Sequence, residues 1–136
     1  MKTKVAAIYG KQDVRIREFE LPEISDNELL VSVISDSVCL STWKAAKLGS
    51  EHKRVPDDLE NHPVITGHEC AGVIVEVGKN LTGKYKKGQR FVLQPAMGLP
   101  SGYSAGYSYE YFGGNATYMI IPEVAINLGC VLPYHG

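Results

Sequence analysis

Three cysteines stand in 136 residues, and no two of them form a Cys-x-x-Cys pair. Cys39, Cys70 and Cys130 are odd in number and widely spaced, which excludes a disulfide framework and points to a reducing compartment. The cytoplasm is the expected location. Long apolar runs are also missing: no segment approaches the roughly 20 residues of a membrane helix. The opening stretch has only Val5 to Tyr9 as an apolar run, too short for a signal-peptide core. Nor is there an excess of one charge. With 14 Lys and Arg against 15 Asp and Glu, the formal net charge is −1. That balance leaves no electrostatic footprint for nucleic acid or an anionic membrane. The densest basic run, Lys84-Tyr85-Lys86-Lys87-Gly88-Gln89-Arg90, is short and broken, and reads as a solvated turn. Internal repeats, low-complexity linkers and a Gly-x-Gly-x-x-Gly turn are absent as well.

What is present is mostly strand. Val5 to Tyr9 is apolar, and Val14, Ile16 and Glu18 alternate with Arg15, Arg17 and Phe19 at period two, which predicts two strands joined by a turn at Gly10 to Asp13. Leu21-Pro22-Glu23 interrupts, and Glu28 to Ser35 resumes as a third strand running toward Cys39. A short helix over Trp43 to Leu48 follows, capped by Ser41 or Thr42 and ended by Gly49. Cys39 thus falls at a strand-to-helix junction. Residues 50–62 are charged and read as an exposed loop, with His52 and His62 solvated. Strand signals return at Val64 to Thr66, Ala71 to Val77, Arg90 to Gln94, Ala116 to Ile121 and Val124 to Leu128. The pattern predicts one mainly β domain, a partly open barrel with one or two short helices.

Gly67-His68-Glu69 is the most informative stretch, with Cys39 upstream of it. A thiolate and an imidazole from separate elements are the donors zinc prefers. His68 and Glu69 are adjacent, so a straight strand would send them to opposite faces. They share one metal only if the backbone bends, which Gly67 permits. In a straight strand Cys70 shares a face with His68, so a site using Cys70 stays open, as does a hydrogen-bonded core role for His68.

These residues resemble the zinc-dependent medium-chain alcohol and polyol dehydrogenases. Gly67-His68-Glu69-Cys70-Ala71-Gly72-Val73-Ile74-Val75-Glu76-Val77-Gly78 is similar to the zinc signature of that family. Cys39-Leu40-Ser41 resembles the segment bearing the first zinc ligand. Tyr85 to Val92 resembles the Gly-Asp-Arg-Val turn, with Gln89 in place of Asp, and Gly113 to Pro122 resembles the Gly-Gly-x-Ala-x-Tyr strand. The likeness runs through the whole chain in order.

The resemblance implies a GroES-like fold over 1–136 as the catalytic domain. It implies that Cys39 and His68 are zinc ligands and that Glu69 either approaches the metal or supports it from behind. Ser41 would carry the proton away from the substrate hydroxyl, since a hydroxyl donates and accepts at once. Thr42 and Lys44 stand where the family commonly has Asp and often has His. The family's third protein ligand lies beyond this segment, which leaves zinc binding incomplete. Between Gln94 and Gly114 many relatives carry a four-cysteine lobe; here that interval has tyrosines and no cysteine, so no structural zinc forms there. This tyrosine-rich interval is similar to that of bacterial sugar-phosphate reductases of the sorbose 1-phosphate type. The implied substrate is an alcohol, polyol or sugar phosphate. The implied cofactor is NAD or NADP, held by a Rossmann domain absent from these residues. The parent is expected to be a homo-oligomer, and this segment alone is expected to turn nothing over. A stand-alone GroES-like binding or chaperone module is the alternative, but it needs no such grouping of Cys39, Ser41 and His68.

Overall fold

The computed structural model describes residues 1–37, 39–51, 55, 59, 63–94 and 111–133, with Ser41 described by its backbone alone. The mainly β architecture is the one expected. Among the described residues, eight strands and two short α-helices run in the order β1 (Lys2–Gly10), β2 (Asp13–Glu20), β3 (Leu29–Asp36), α1 (Leu40–Leu48), β4 (Val64–Ile65), β5 (Cys70–Val77), β6 (Arg90–Leu93), β7 (Tyr118–Ile121), α2 (Glu123–Asn127) and β8 (Val131–Pro133). They form two antiparallel sheets, β2-β1-β4 and β7-β3-β5-β6-β8.

Period-two burial builds the core. In β1 Thr3, Val5 and Ala7 turn inward, in β5 Cys70, Gly72 and Ile74, and in β6 Phe91 and Leu93. Cys70, Ile74, Phe91 and Leu93 meet Leu29, Val31, Phe112, Met119 and Ile121 in one apolar cluster under the five-stranded sheet, while Val5 and Ala7 pack with Ile65 in a second, smaller one. Each fully buried Val, Leu, Ile, Phe or Met side chain there contributes about 1.5–3 kcal/mol through removal from water. The two sheets are stitched by an isolated bridge between Val5 and Ala116. Around it Ala6 N–H donates to Asn115 O at 2.9 Å, and Thr117 N–H to Lys4 O at 2.9 Å.

Three expectations are corrected. Val124 to Leu128 is not a strand: Pro122 stands just before a five-residue helix, which buries Ala125 and Ile126. A proline's fixed φ suits a helix entrance, and the apolar run was too short for periodicity to separate helix from strand. Helix α1 begins at Leu40, so the cap position is Cys39 and not Ser41 or Thr42. The loop over 50–62 is not exposed throughout, because Val55 and Leu59 are 4% and 3% exposed and pack with Ile8, Ala45 and Val64. His52, His62 and the tyrosines at 103, 107 and 109 lie outside the described residues.

Candidate metal centre

Cys39 lies on the short connection between β3 and α1. Its carbonyl accepts the N–H groups of Thr42 at 3.1 Å and Trp43 at 3.3 Å. The Trp43 bond is the first i→i−4 bond of the helix, the Thr42 bond satisfies one of the otherwise unpaired donors of its first turn, and together they pin the residue that carries the thiol. Ser41 is the second residue of that helix, and Lys44 is exposed.

The opposing donors come from the bend before β5. Gly67 has φ +97°, a backbone conformation L residues rarely adopt. A Cβ there would collide with Asp36 Oδ2 and stand 2.7 Å from the Asn115 nitrogen. The bend brings His68 and Glu69 to the same side. As a result Cys39 Sγ, a His68 ring nitrogen and a Glu69 carboxylate oxygen all lie within 4.8 Å of one another. Cys39 and His68 are half-buried and Glu69 is exposed.

Glu69 is the hub of this group. One carboxylate oxygen is 3.7 Å from His68 Nε2, and the other accepts the Ser37 hydroxyl at 3.0 Å. Hydrogen bonds from the Cys39 thiol and the Ser37 hydroxyl hold its carboxyl below the usual range; His68 adds to this, and partial desolvation opposes it. Cys70, the other donor the sequence left open, points away. It is 1% exposed within the core, and burial, helped by the nearby Asp36 charge, pushes its thiol up to about 12. A thiol held protonated is a poor ligand. Cys130 is buried in the same cluster.

The donor set fits a zinc ion. Tetrahedral zinc with ligand distances of about 2.0–2.3 Å puts its donors about 3.3–3.8 Å apart. A spread of at most 4.8 Å therefore needs a contraction on the order of 1 Å, within the reach of side-chain rotation. One sulfur, one imidazole and one carboxylate also match the chemistry of a catalytic zinc site, which has three protein ligands and an open position.

Two residues at this centre went unread in the sequence. Ser37 donates to Glu69, as above. Asp36 ends β3, and its Oδ1 accepts the N–H groups of Ser37 at 2.8 Å and Glu69 at 3.2 Å. Its Oδ2 is buried with no hydrogen-bond partner. Burial raises the Asp36 carboxyl above its ordinary value, opposed by those two N–H donors and by His68. The available signal was an acid at the end of an apolar strand, three residues before a candidate ligand.

Residues 25–129 match the model of the alcohol dehydrogenase GroES-like domain family. The chain belongs to this family. It is similar to the mannitol-1-phosphate 5-dehydrogenase of Aliivibrio fischeri (strain ATCC 700601 / ES114), with 69% identity over 135 residues, 99% of this chain and 32% of that protein. It is also similar to the L-sorbose 1-phosphate reductase of Klebsiella pneumoniae, at 43% identity over 98% of this chain and 33% of that protein. Among solved structures, the 2R,3R-butanediol dehydrogenase of Bacillus subtilis superposes with a TM-score of 0.76 at 25% identity, covering 98% of this chain and 40% of that one. The likeness to the medium-chain dehydrogenases and to the sorbose 1-phosphate reductases, read from motifs, therefore holds. This GroES-like chain spans about a third of the length of the curated relatives it matches.

Proposed function

We propose that residues 1–136 are the catalytic domain of a zinc-dependent, NAD(P)-linked dehydrogenase that interconverts a polyol or sugar phosphate with its carbonyl form. The observation that carries this reading is the gathering of Cys39, His68 and Glu69 donor atoms within 4.8 Å, on a chain 69% identical to a mannitol-1-phosphate 5-dehydrogenase. Cys39 and His68 would hold the zinc, with Glu69 as third donor or as the group that gives way to substrate. When bound, the metal supplies Lewis acidity that lowers the pKa of an oxygen ligand.

The protein's own residues do the rest. The thiol of Cys39 passes its proton from the Glu69 hydrogen bond to solvent when it becomes a ligand, so metal uptake releases a proton. Ser41, in the first turn of α1, passes the substrate hydroxyl proton outward. Ser37 orients the Glu69 carboxylate. The nicotinamide site is proposed to lie in sequence that the relatives have and this chain does not span, and the whole protein to act in the cytoplasm as a homo-oligomer.

The test is turnover by the full-length protein. With zinc and a nicotinamide, mannitol 1-phosphate or sorbose 1-phosphate should be used far better than simple primary alcohols, and His68→Ala should abolish the reaction. Preference for ethanol, or full activity in His68→Ala, would sink the proposal. The 136-residue chain alone should transfer no hydride, and a binding-module role would be favoured if it takes up no metal either.

A further inference from the structure

A carboxylate oxygen buried without a partner is costly, and such groups call for an explanation. Asp36 Oδ2 is one, and its surroundings show how it is kept in place. A Cβ on Gly67 would overlap it, and a Cβ on Gly114 would stand 2.5 Å from it and 2.6 Å from Cys70 Cβ. Two glycines from separate segments thus leave the space in which this oxygen sits.

The other oxygen occupies a decisive position. The β3–β5 ladder ends at the Asp36–Cys70 pair, where the candidate ligands begin. Past that pair, the strand end leading to Cys39 and the bend carrying His68 and Glu69 share a backbone bond of 3.3 Å from Ser37 N–H to Glu69 O. They also share the Ser37 hydroxyl bond to Glu69. Asp36 Oδ1 adds the bridge, accepting one N–H from each side.

We propose that Asp36 is a positioning residue for the metal centre: one carboxylate oxygen fastens the segment delivering Cys39 to the bend delivering His68 and Glu69. This role rests on the metal-binding reading above. Acceptors behind ligand-bearing segments fix donor geometry before the metal arrives, and their loss typically weakens binding by about 10–100-fold.

The test is cobalt(II) titration of the 136-residue chain in competition with a chelator, following the thiolate-to-cobalt absorption band, which reports Cys39 in the shell. Asp36→Ala should bind about 10–100-fold more weakly, and its band at saturation should change in intensity. General destabilisation alone would leave the saturated band of the folded protein unaltered. Asp36→Asn keeps an acceptor for both N–H groups, so it should restore the band and bind more tightly than Asp36→Ala. Unaltered affinity and band in Asp36→Ala, or equal weakening in both variants, overturns the role. If Asp36→Ala does not fold, Asp36→Ser, whose shorter side chain cannot reach across to the Glu69 N–H, takes its place: weaker binding with a changed band supports the role, and unaltered affinity and band overturn it. Absence of a thiolate band in the unaltered chain removes the metal reading, and this role with it.

Discussion

Under the five-stranded sheet, Leu29, Val31, Ile74, Phe91 and Met119 are each at most 1% exposed, and their contacts are apolar. At the end of the same sheet, where β3 and β5 part, His68 and Glu69 keep 14% and 43% of their side chains in solvent, and Asp36 holds a buried oxygen with no partner. The first region gains free energy at nearly every position. The second accepts an unpaired polar atom, worth about 1–3 kcal/mol of destabilisation, in order to fix three donor atoms. Stability and metal affinity therefore reside in different residues of one sheet, and substitutions should separate them.

Phe91→Ala is the largest expected effect on the stability side. Removing a fully buried ring should lower the free energy of unfolding by about 3–5 kcal/mol, read from urea denaturation, while the folded fraction keeps its zinc affinity. His68→Ala should do the reverse. Loss of a ligand exceeds the loss of a residue behind one, so zinc affinity should fall more than about 100-fold. Its unfolding free energy without metal should move by no more than about 1 kcal/mol, because the residue is only half-buried. If His68→Ala unfolds the protein, the two regions are not separable.

Gly114→Ala tests the seam between them. The added Cβ would meet Asp36 on one side and Cys70 on the other, so both readouts should change. Overpacking should cost about 1–3 kcal/mol of stability, and displacement of Asp36 should weaken metal binding. A change in stability with metal affinity untouched would place Gly114 wholly with the core.

The contrast also explains which parts of the molecule were legible in its sequence. Period-two burial is a local rule, so β1, β3, β5 and β6 could be read from Val5, Val31, Ile74 and Phe91, and the bend at Gly67 from a glycine between strand signals. Cys39, His68 and Glu69 were legible as donor types in a motif, although their mutual distances were not. Asp36 was illegible because its role depends on Gly114, far off in sequence, lacking a Cβ at the right place. Residues 123–127 were misread because Val124, Ala125 and Ile126 suit a buried strand as well as a short helix, and Pro122 decides between them only once the chain direction is known. Val55 and Leu59 were hidden among charges, where two isolated apolar residues give no period.

The smallest expected effect lies in the other sheet. Among the described residues strand β2 pairs only with β1, and its Val14 and Ile16 are 48% and 65% exposed. Their alternation with Arg15 and Arg17 predicted a strand, and in the structure all four residues are exposed, with the arginines turned to the Tyr9 side. Their guanidinium groups sit 4.5 and 5.6 Å from the Tyr9 ring centre, where cation–π attraction and apolar stems shield the ring. Ile16→Thr exchanges one β-branched residue for another at an exposed position, so unfolding should shift by less than about 0.5 kcal/mol and zinc affinity should not change. A loss above about 1 kcal/mol, measured by the same urea denaturation, would mean that the outer face of β2 is covered in solution. The three-stranded sheet would then belong with the buried region, and the division between stability and metal binding would have to be drawn elsewhere.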